Sequence, residues 1–396
     1  MSASPPNPIR GSGNERERGI VLAIVLVLIF ALITTVYAFQ RRAIIDTTIA
    51  QNRLSAAEAD ALARGGIRIA EAIVYLSRLK DSATEIDPAA AAGGPASGLG
   101  QALLPSGDLW QRVGDFPLAF SRERSLRIRI EDEGVRLNLN ALVPPSVPGE
   151  GEDDELGARP ADDAGESLDD AELYLIAVLD YVIAGMEGTR EEKNYDTTAL
   201  ARNLIDWMDA DSTARDGRDE NAYYQDQDPP YRAANGPFLS FDEIGLVEGV
   251  DGRLLDALRE SVTVHPIGGQ AGINLNRAEP WVLSLVYTGV DGDRRLLNEK
   301  AVRAIFHLRR QGKQICGEEG GDPKRCVPMN EVADGALAEG SIFPPVELPA
   351  RPEVFRVVAE ARVGNLVRRQ EAIIDTRSAE GPLLLSWRRL RGTDAR

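Results

Sequence analysis

The sequence predicts an α+β protein: one long N-terminal helix, a set of strands, and a large helical region inserted among them. Three observations lead there. An uncharged run from Ile20 to Phe39 passes directly into a stretch rich in helix formers. Residues 126–130 alternate apolar and charged side chains, and the segments at 354–363 and 366–374 carry strand patterns of their own. Between them lie stretches with the three- and four-residue apolar spacing of helices. At 396 residues, with 43% hydrophobic and 27% charged, the chain is long enough for two or three globular domains.

The run IVLAIVLVLIFALITTVYAF, 20–39, is long enough at about 1.5 Å per residue to cross a roughly 30 Å hydrocarbon core. A secretory signal would be shorter and end in a small-residue cleavage site, whereas Arg41 and Arg42 follow here. Helical character continues from Ala43 to Leu79 through Ile45, Ile49, Leu54, Leu62, Ile69, Ile73 and Leu76. Ahead of the run stands Glu-Arg-Glu-Arg-Gly, 15–19, after a Pro/Ser/Asn/Gly leader whose composition does not support folding. Arg10, Arg16 and Arg18 on one side balance Arg41, Arg42 and Arg53 on the other, so charge does not set the orientation.

Residues 87–107 are Ala, Gly, Pro and Ser rich and read as a connector. LRIRI (126–130) and VRLNL (135–139) around a 131–134 turn predict a β-hairpin. The acidic stretch 149–172 reads as a solvated insert. Asp169 and Glu172 then cap a helix running to Gly185, and 200–208 forms another. Ser240 with Glu243 gives a capping box, and 252–260 one more helix. A short repeat, LNLNAL at 137–142 and INLNRA at 273–278, predicts two strands of one sheet with the helical stretch looped out between them. Helices at 280–287 and 298–310 and strands at 354–363 and 366–374, turning at Gly364-Asn365, complete the chain. The expected division is a leader 1–19, an N-terminal helix 20–80, a first α+β part 108–140, an inserted helical domain 141–270, and a closing α+β part 271–396.

A net charge of -17 and a pI near 4.8 argue against nucleic acid, whose phosphates need clustered Lys and Arg. His265 and His307 have no spaced partner for zinc or for a nucleophile, and no phosphate loop or GxSxG occurs, so no enzyme is expected. Cys316 and Cys326 fit no zinc pattern. Outside the cytosol they would form a disulfide closing a loop of about eleven residues, contributing about 3 kcal/mol; otherwise they are two thiols in an insert. The acidic loop is the candidate for simpler chemistry: Asp209, Asp211, Asp216, Asp219 and Glu220 gather hard oxygen ligands suited to calcium. It is not an EF-hand, because the sixth position, which wants Gly, is Ala214.

Glu-Arg-Glu-Arg-Gly before the apolar run resembles a prepilin-type signal, which implies cutting by a prepilin peptidase between Gly19 and Ile20. Pilin-like subunits carry Glu at the fifth mature position; here it is Ile24, as in K-type minor pseudopilins, the members that lack the Glu. LIDWMDAD (204–211), DENAYYQDQDPPYRAANGPFLSFDEIGLVEG (219–249) and INLNRAEPWVL (273–283) are similar to the central domain of the general secretion pathway protein K family. The resemblance implies a type IV pilin-like fold, with the long helix on an antiparallel sheet, and a minor pseudopilin at the tip of a type II secretion pseudopilus. It also implies calcium in the helical domain. Its expected partners are other minor pseudopilins, the major pseudopilin and exported proteins. The expected setting is a single pass through the inner membrane, N-terminus in the cytoplasm and bulk in the periplasm. The alternative is a type IV pilus tip subunit acting as an adhesin or binding module. The acidic insert and the Cys316–Cys326 loop have no counterpart in that family pattern.

Overall fold

The computed structural model describes residues 13–86, 109–115, 117–143, 161–215, 217–268, 272–289, 294–317, 325–335, 337, 342–346, 348, 350–378 and 380–390. The leader before residue 13, the connector at 87–107 and the acidic stretch at 149–160 lie outside them.

Helix α1 (Gly13–Ile86) runs unbroken for 74 residues, roughly 110 Å at 1.5 Å per residue. Its apolar side chains from Ile20 to Phe39 are exposed, and this part of the helix is long and apolar enough to cross a membrane. Beyond them the helix lies on a five-stranded antiparallel sheet of β1 (Leu118–Ser121), β2 (Arg124–Asp132), β3 (Val354–Val363), β4 (Leu366–Asp375) and β5 (Leu383–Leu390), in that spatial order. Small residues make the close fit possible. Ala59, Ala63, Gly66 and Ala70 form a stripe against Leu126, Ile128, Val357 and Ala359. A Cβ on Gly66 would stand 2.9 Å from Leu126 Cδ1 and 3.1 Å from the Ala359 Cβ. Trp110, edge-on to Phe355 at 5.2 Å, closes one end of this core.

The strands follow the chain order, but some two hundred residues separate β2 from β3. Asp132 and Phe355 are register partners, so the chain leaves and rejoins the sheet at one point. The helical region therefore lies between two neighbouring strands of the sheet, and it extends further along the chain than residue 270. Residues 273–337 share the apolar core of α2 (Ala161–Gly185), α3 (Thr197–Met208), α4 (Gly252–Leu258) and α5 (Glu299–Arg310), not that of the sheet. Among the described residues, only the strands from Val354 onward return.

The expected hairpin of 126–130 with 135–139 does not form. β2 pairs with β1 and β3 instead, while Leu137–Asn138 pairs in parallel with Val262–Thr263 inside the insertion. Nor do the repeated LNLN and INLN segments enter one sheet. They form two matching asparagine clamps. Asn138 accepts from Asn140 N, and Asn140 both accepts from Phe238 N (2.8 Å) and donates to Phe238 O (2.8 Å) and Val264 O (2.7 Å). Asn274 accepts from Asn276 N, and Asn276 accepts from Ile315 N (2.7 Å) and donates to Ile315 O (2.8 Å). Each repeat thus satisfies the backbone of a distant residue, which an alternating strand pattern does not reveal.

Part of the acidic stretch is helical: α2 starts at Ala161, so Glu172 lies within the helix and not at a cap. Its carboxylate binds Arg202 (2.7 Å) and Arg215 (2.8 Å). Residues 241–246 form a 3-10 turn in which Glu243 accepts from Leu239 N. The expected helix at 280–287 ends at Leu283, and Tyr287–Thr288 is a short strand. Cys316 and Cys326 are disulfide-bonded, Cα atoms 5.8 Å apart, between short parallel strands. His265 is buried, and His307 lies on α5 beside Gln311.

Where insertion meets sheet, Glu133 is fully buried. It accepts from Arg356 Nε (2.6 Å), Arg136 Nη1 (3.3 Å) and the Thr263 hydroxyl. Burial alone would raise its pKa, but the two guanidinium groups and the hydroxyl outweigh it and hold the carboxyl at about 2.

Candidate metal centre

The centre grows from the C-terminus of α3. Asp196 caps the start of this helix by accepting from Ala199 N (3.0 Å), and Leu200, Leu204, Ile205 and Trp207 bury its apolar face. That packing fixes the helix end, where Asp209 is the capping residue, its N–H bonded to Ile205 O (2.9 Å). Asp211 closes an Asx turn, accepting from Thr213 N (2.8 Å). The chain then folds back through a bridge between Thr213 and Asp219, with Gly217 at φ +82° in the turn.

This reversal brings Glu220 to the helix end. One carboxylate oxygen from each of Asp209, Asp211 and Glu220 lies within 4.8 Å of the others. Asn235, at φ 46°, turns its amide onto the group, donating to the backbone carbonyl of Asp211 and to Glu220 Oε2 (3.4 Å). Trp207 of α3 is buried, stacked on Phe238 at 6.1 Å and edge-on to Tyr224 at 5.3 Å.

Two oxygens here, Asp209 Oδ1 and Glu220 Oε1, are buried without a hydrogen-bond partner. Burial, then the neighbouring Asp211 and Asp206, push the Asp209 carboxyl up to about 7. Burial, then Asp209, Asp206 and Asp211, raise Glu220 to about 7 as well. Buried acceptor oxygens with no donor, in a group of mutually repelling carboxylates, suit a hard divalent cation. The residues present therefore fit calcium.

Of the five carboxylates expected from sequence, Asp209, Asp211 and Glu220 meet. Asp216 lies outside the described residues. Asp219 does not join: it is exposed, and its side chain accepts from Asn221 N (2.9 Å) at the start of the next helical turn. Two contributors escape a reading by local acid density. Asn235 is 24 residues from Asp211, its only hint being the Asn-Gly pair at 235–236. Asp206, one turn before Asp209 on α3, accepts from Arg215 N with both oxygens (3.2 Å each) and adds field without facing the group as a ligand.

Residues 135–267, which contain the whole centre and begin just after the chain leaves β2, match the family model "Type II secretion system (T2SS), protein K". The chain is 31% identical over 117 residues to type II secretion system protein K of Aeromonas hydrophila, covering 28% of this chain and about a third (35%) of that relative. It is 27% identical over 279 residues to type II secretion system protein K of Pseudomonas aeruginosa, covering 68% of each. Over residues 135–267 the chain is similar to the type II secretion system protein K family.

A solved structure, the GspK-GspI-GspJ complex of the enterotoxigenic Escherichia coli type 2 secretion system, matches 70% of this chain and 82% of its own. The identity is 19% and the TM-score 0.41, too loose a likeness to place individual residues. The segment that matches the protein K model is the insertion's first half: α2 to α4 and the short strand that closes them, Val262–Thr263. The second half, 273–337, with the Asn276 clamp and the disulfide, lies beyond the matched segment.

Proposed function

We propose that the chain is a minor pseudopilin of a type II secretion system: a non-enzymatic assembly subunit that acts in protein export at the tip of a periplasmic pseudopilus. The observation that carries this reading is the protein K match within an insertion whose host sheet is packed on a membrane-length helix. The architecture supports a pilin-like subunit, since α1 emerges from its apolar half straight onto an antiparallel sheet. In this reading the helix crosses the inner membrane once, with the N-terminus cytoplasmic and the remainder periplasmic. Prepilin peptidase cuts between Gly19 and Ile20, and α1 packs among other minor pseudopilins and the major pseudopilin.

Ile24 and the bulk of the insertion both suit a terminal position. An ordinary subunit's buried carboxylate needs a partner in lipid, and Ile24 does not. Asp209, Asp211 and Glu220, with the Asp211 carbonyl held by Asn235, would hold calcium. When bound, the ion neutralises the repelling carboxylates and fastens the 209–235 loop to the end of α3.

Deleting the gene in its source organism should abolish export of the type II substrates while they accumulate in the periplasm. The full-length protein should copurify with smaller pilin-like proteins. Undiminished export would overturn the reading, and undiminished export with lost surface attachment would favour a pilus-tip adhesin.

A further inference from the structure

The sheet has two edges, and they differ. β1 is four residues long and irregular in register. β5 is eight residues long, hydrogen-bonded to β4 on one side only among the described residues, and carries LLLSWRRL. Leu383, Leu384, Leu385 and Trp387 are between 40% and 51% exposed. An open edge offers a row of unpaired backbone N–H and C=O groups, and four large exposed apolar side chains on it exceed the scattered leucines of an ordinary surface.

Register assigns the faces. Leu384 stands opposite Ile374, Trp387 opposite Ala372 and Arg389 opposite Gln370, on the face that carries α1. Arg388 stands opposite Glu371 on the outer face and binds it (2.8 Å) together with Asp242 (3.0 Å). On the helix side, Arg389 (2.8 Å) and Arg368 (3.9 Å) both draw on Asp60 of α1, and Arg64, one turn further along the helix, is exposed. Two guanidinium groups sharing one carboxylate leave this flank positive in a chain whose net charge is -17.

This arrangement disfavours a second copy as occupant. Antiparallel self-pairing over the full strand would set Leu384 against Arg389 and Leu385 against Arg388. Parallel self-pairing would set each arginine against itself, and like charges directly opposite one another are destabilising. Arg389, which shares Asp60 with Arg368, favours an acidic partner, whereas Arg388 is already paired with Glu371 and Asp242.

We propose that the β5 edge is a docking site for an extended segment of a different polypeptide, added antiparallel like every other strand of this sheet. That segment carries carboxylates first, at the Arg389 end of the strand, and apolar side chains after them, opposite 383–387. Backbone bonds would supply the common affinity of strand addition, and the acid-then-apolar order its selectivity. The inference does not depend on the pseudopilus reading.

The test uses the full-length protein in detergent micelles and a blocked synthetic peptide, Glu-Asp-Val-Thr-Val-Thr-Val, with a Lys-Lys-Val-Thr-Val-Thr-Val control. Amide hydrogen exchange at 383–390 is followed by mass spectrometry. The acidic peptide should slow exchange there at least tenfold while leaving 354–363 unchanged, and the Lys peptide should bind at least tenfold more weakly. R389E should reverse the preference between the two peptides, and L384S with W387S should weaken both. Equal protection by both peptides, or by neither, overturns the proposal. Protection that grows with protein concentration in the absence of peptide also overturns it, in favour of self-association.

Discussion

At the scale of single residues, Asp209 and Glu220 determine a measurable coupling. If only the folded state binds calcium, free ion at a hundredfold over its Kd adds about 2.7 kcal/mol of stability. Thermal melts of the full-length protein should rise with calcium and fall with chelator, and Asp209→Asn with Asp211→Asn should abolish most of the difference. The pH dependence has a definite sign. Both carboxyls are raised from ordinary values of 3.8 and 4.5 to about 7, so the folded, metal-free protein holds their protons more tightly than the unfolded chain. Their stabilising contribution is complete below about pH 4 and is lost as pH rises through 7. The metal-free melting temperature should therefore decline from pH 5 to pH 8 relative to the Asp209→Asn, Glu220→Gln variant, and calcium should remove the decline. Glu133 has the opposite sign: held at about 2, its contribution is present above 4.5 and lost only as pH falls through 2. Glu133→Gln removes the closest carboxylate from the buried Arg356 guanidinium, leaving Glu371 at 4.0 Å, and should cost about 3 kcal/mol, read from denaturant melts. Three of the site's carboxylates were legible because they crowd within twelve residues of one helix end. Asn235 was not, since only the folded loop brings it across.

At the scale of elements, two asparagines and one glycine carry the fold where alternation and periodicity are silent. Asn140→Ala would leave both the N–H and the carbonyl of fully buried Phe238 unsatisfied, at about 1–3 kcal/mol for each group. Amide exchange should then quicken around 238–264 and not around Ile315, which the Asn276 clamp holds separately. Gly66→Leu should push α1 off β2 and β3, exposing the sheet core to a hydrophobic dye while leaving the calcium response intact. The long helix and the 354–374 hairpin were readable because each satisfies its own hydrogen bonds locally or across a two-residue turn. The partners of LRIRI were not, because β2 pairs with a strand more than two hundred residues away and local alternation carries no address. β5 escaped for a different reason: LLLSWRRL has no alternation, its leucines falling on both faces of an open edge.

At the scale of the whole molecule, the chain is a sheet and helix interrupted at one point by a large insertion, with entry and exit at the paired residues Asp132 and Phe355. The buried Glu133–Arg356 pair sits at this junction, so insertion and sheet are joined by charge as well as by chain. The insertion was legible as helical, but its C-terminal limit was misplaced. The apolar pattern of 273–337 is equally compatible with either core, and only packing assigns it to the helices. In the proposed function this helix remains on the mature protein as the assembly element of a pseudopilin. Mass spectrometry of the N-terminus of protein purified from membranes tests it most directly. The mature chain should begin at Ile20, and Gly19→Trp should leave an unprocessed precursor; a chain beginning beyond Phe39 would show the helix to be a discarded signal and overturn the pseudopilin reading.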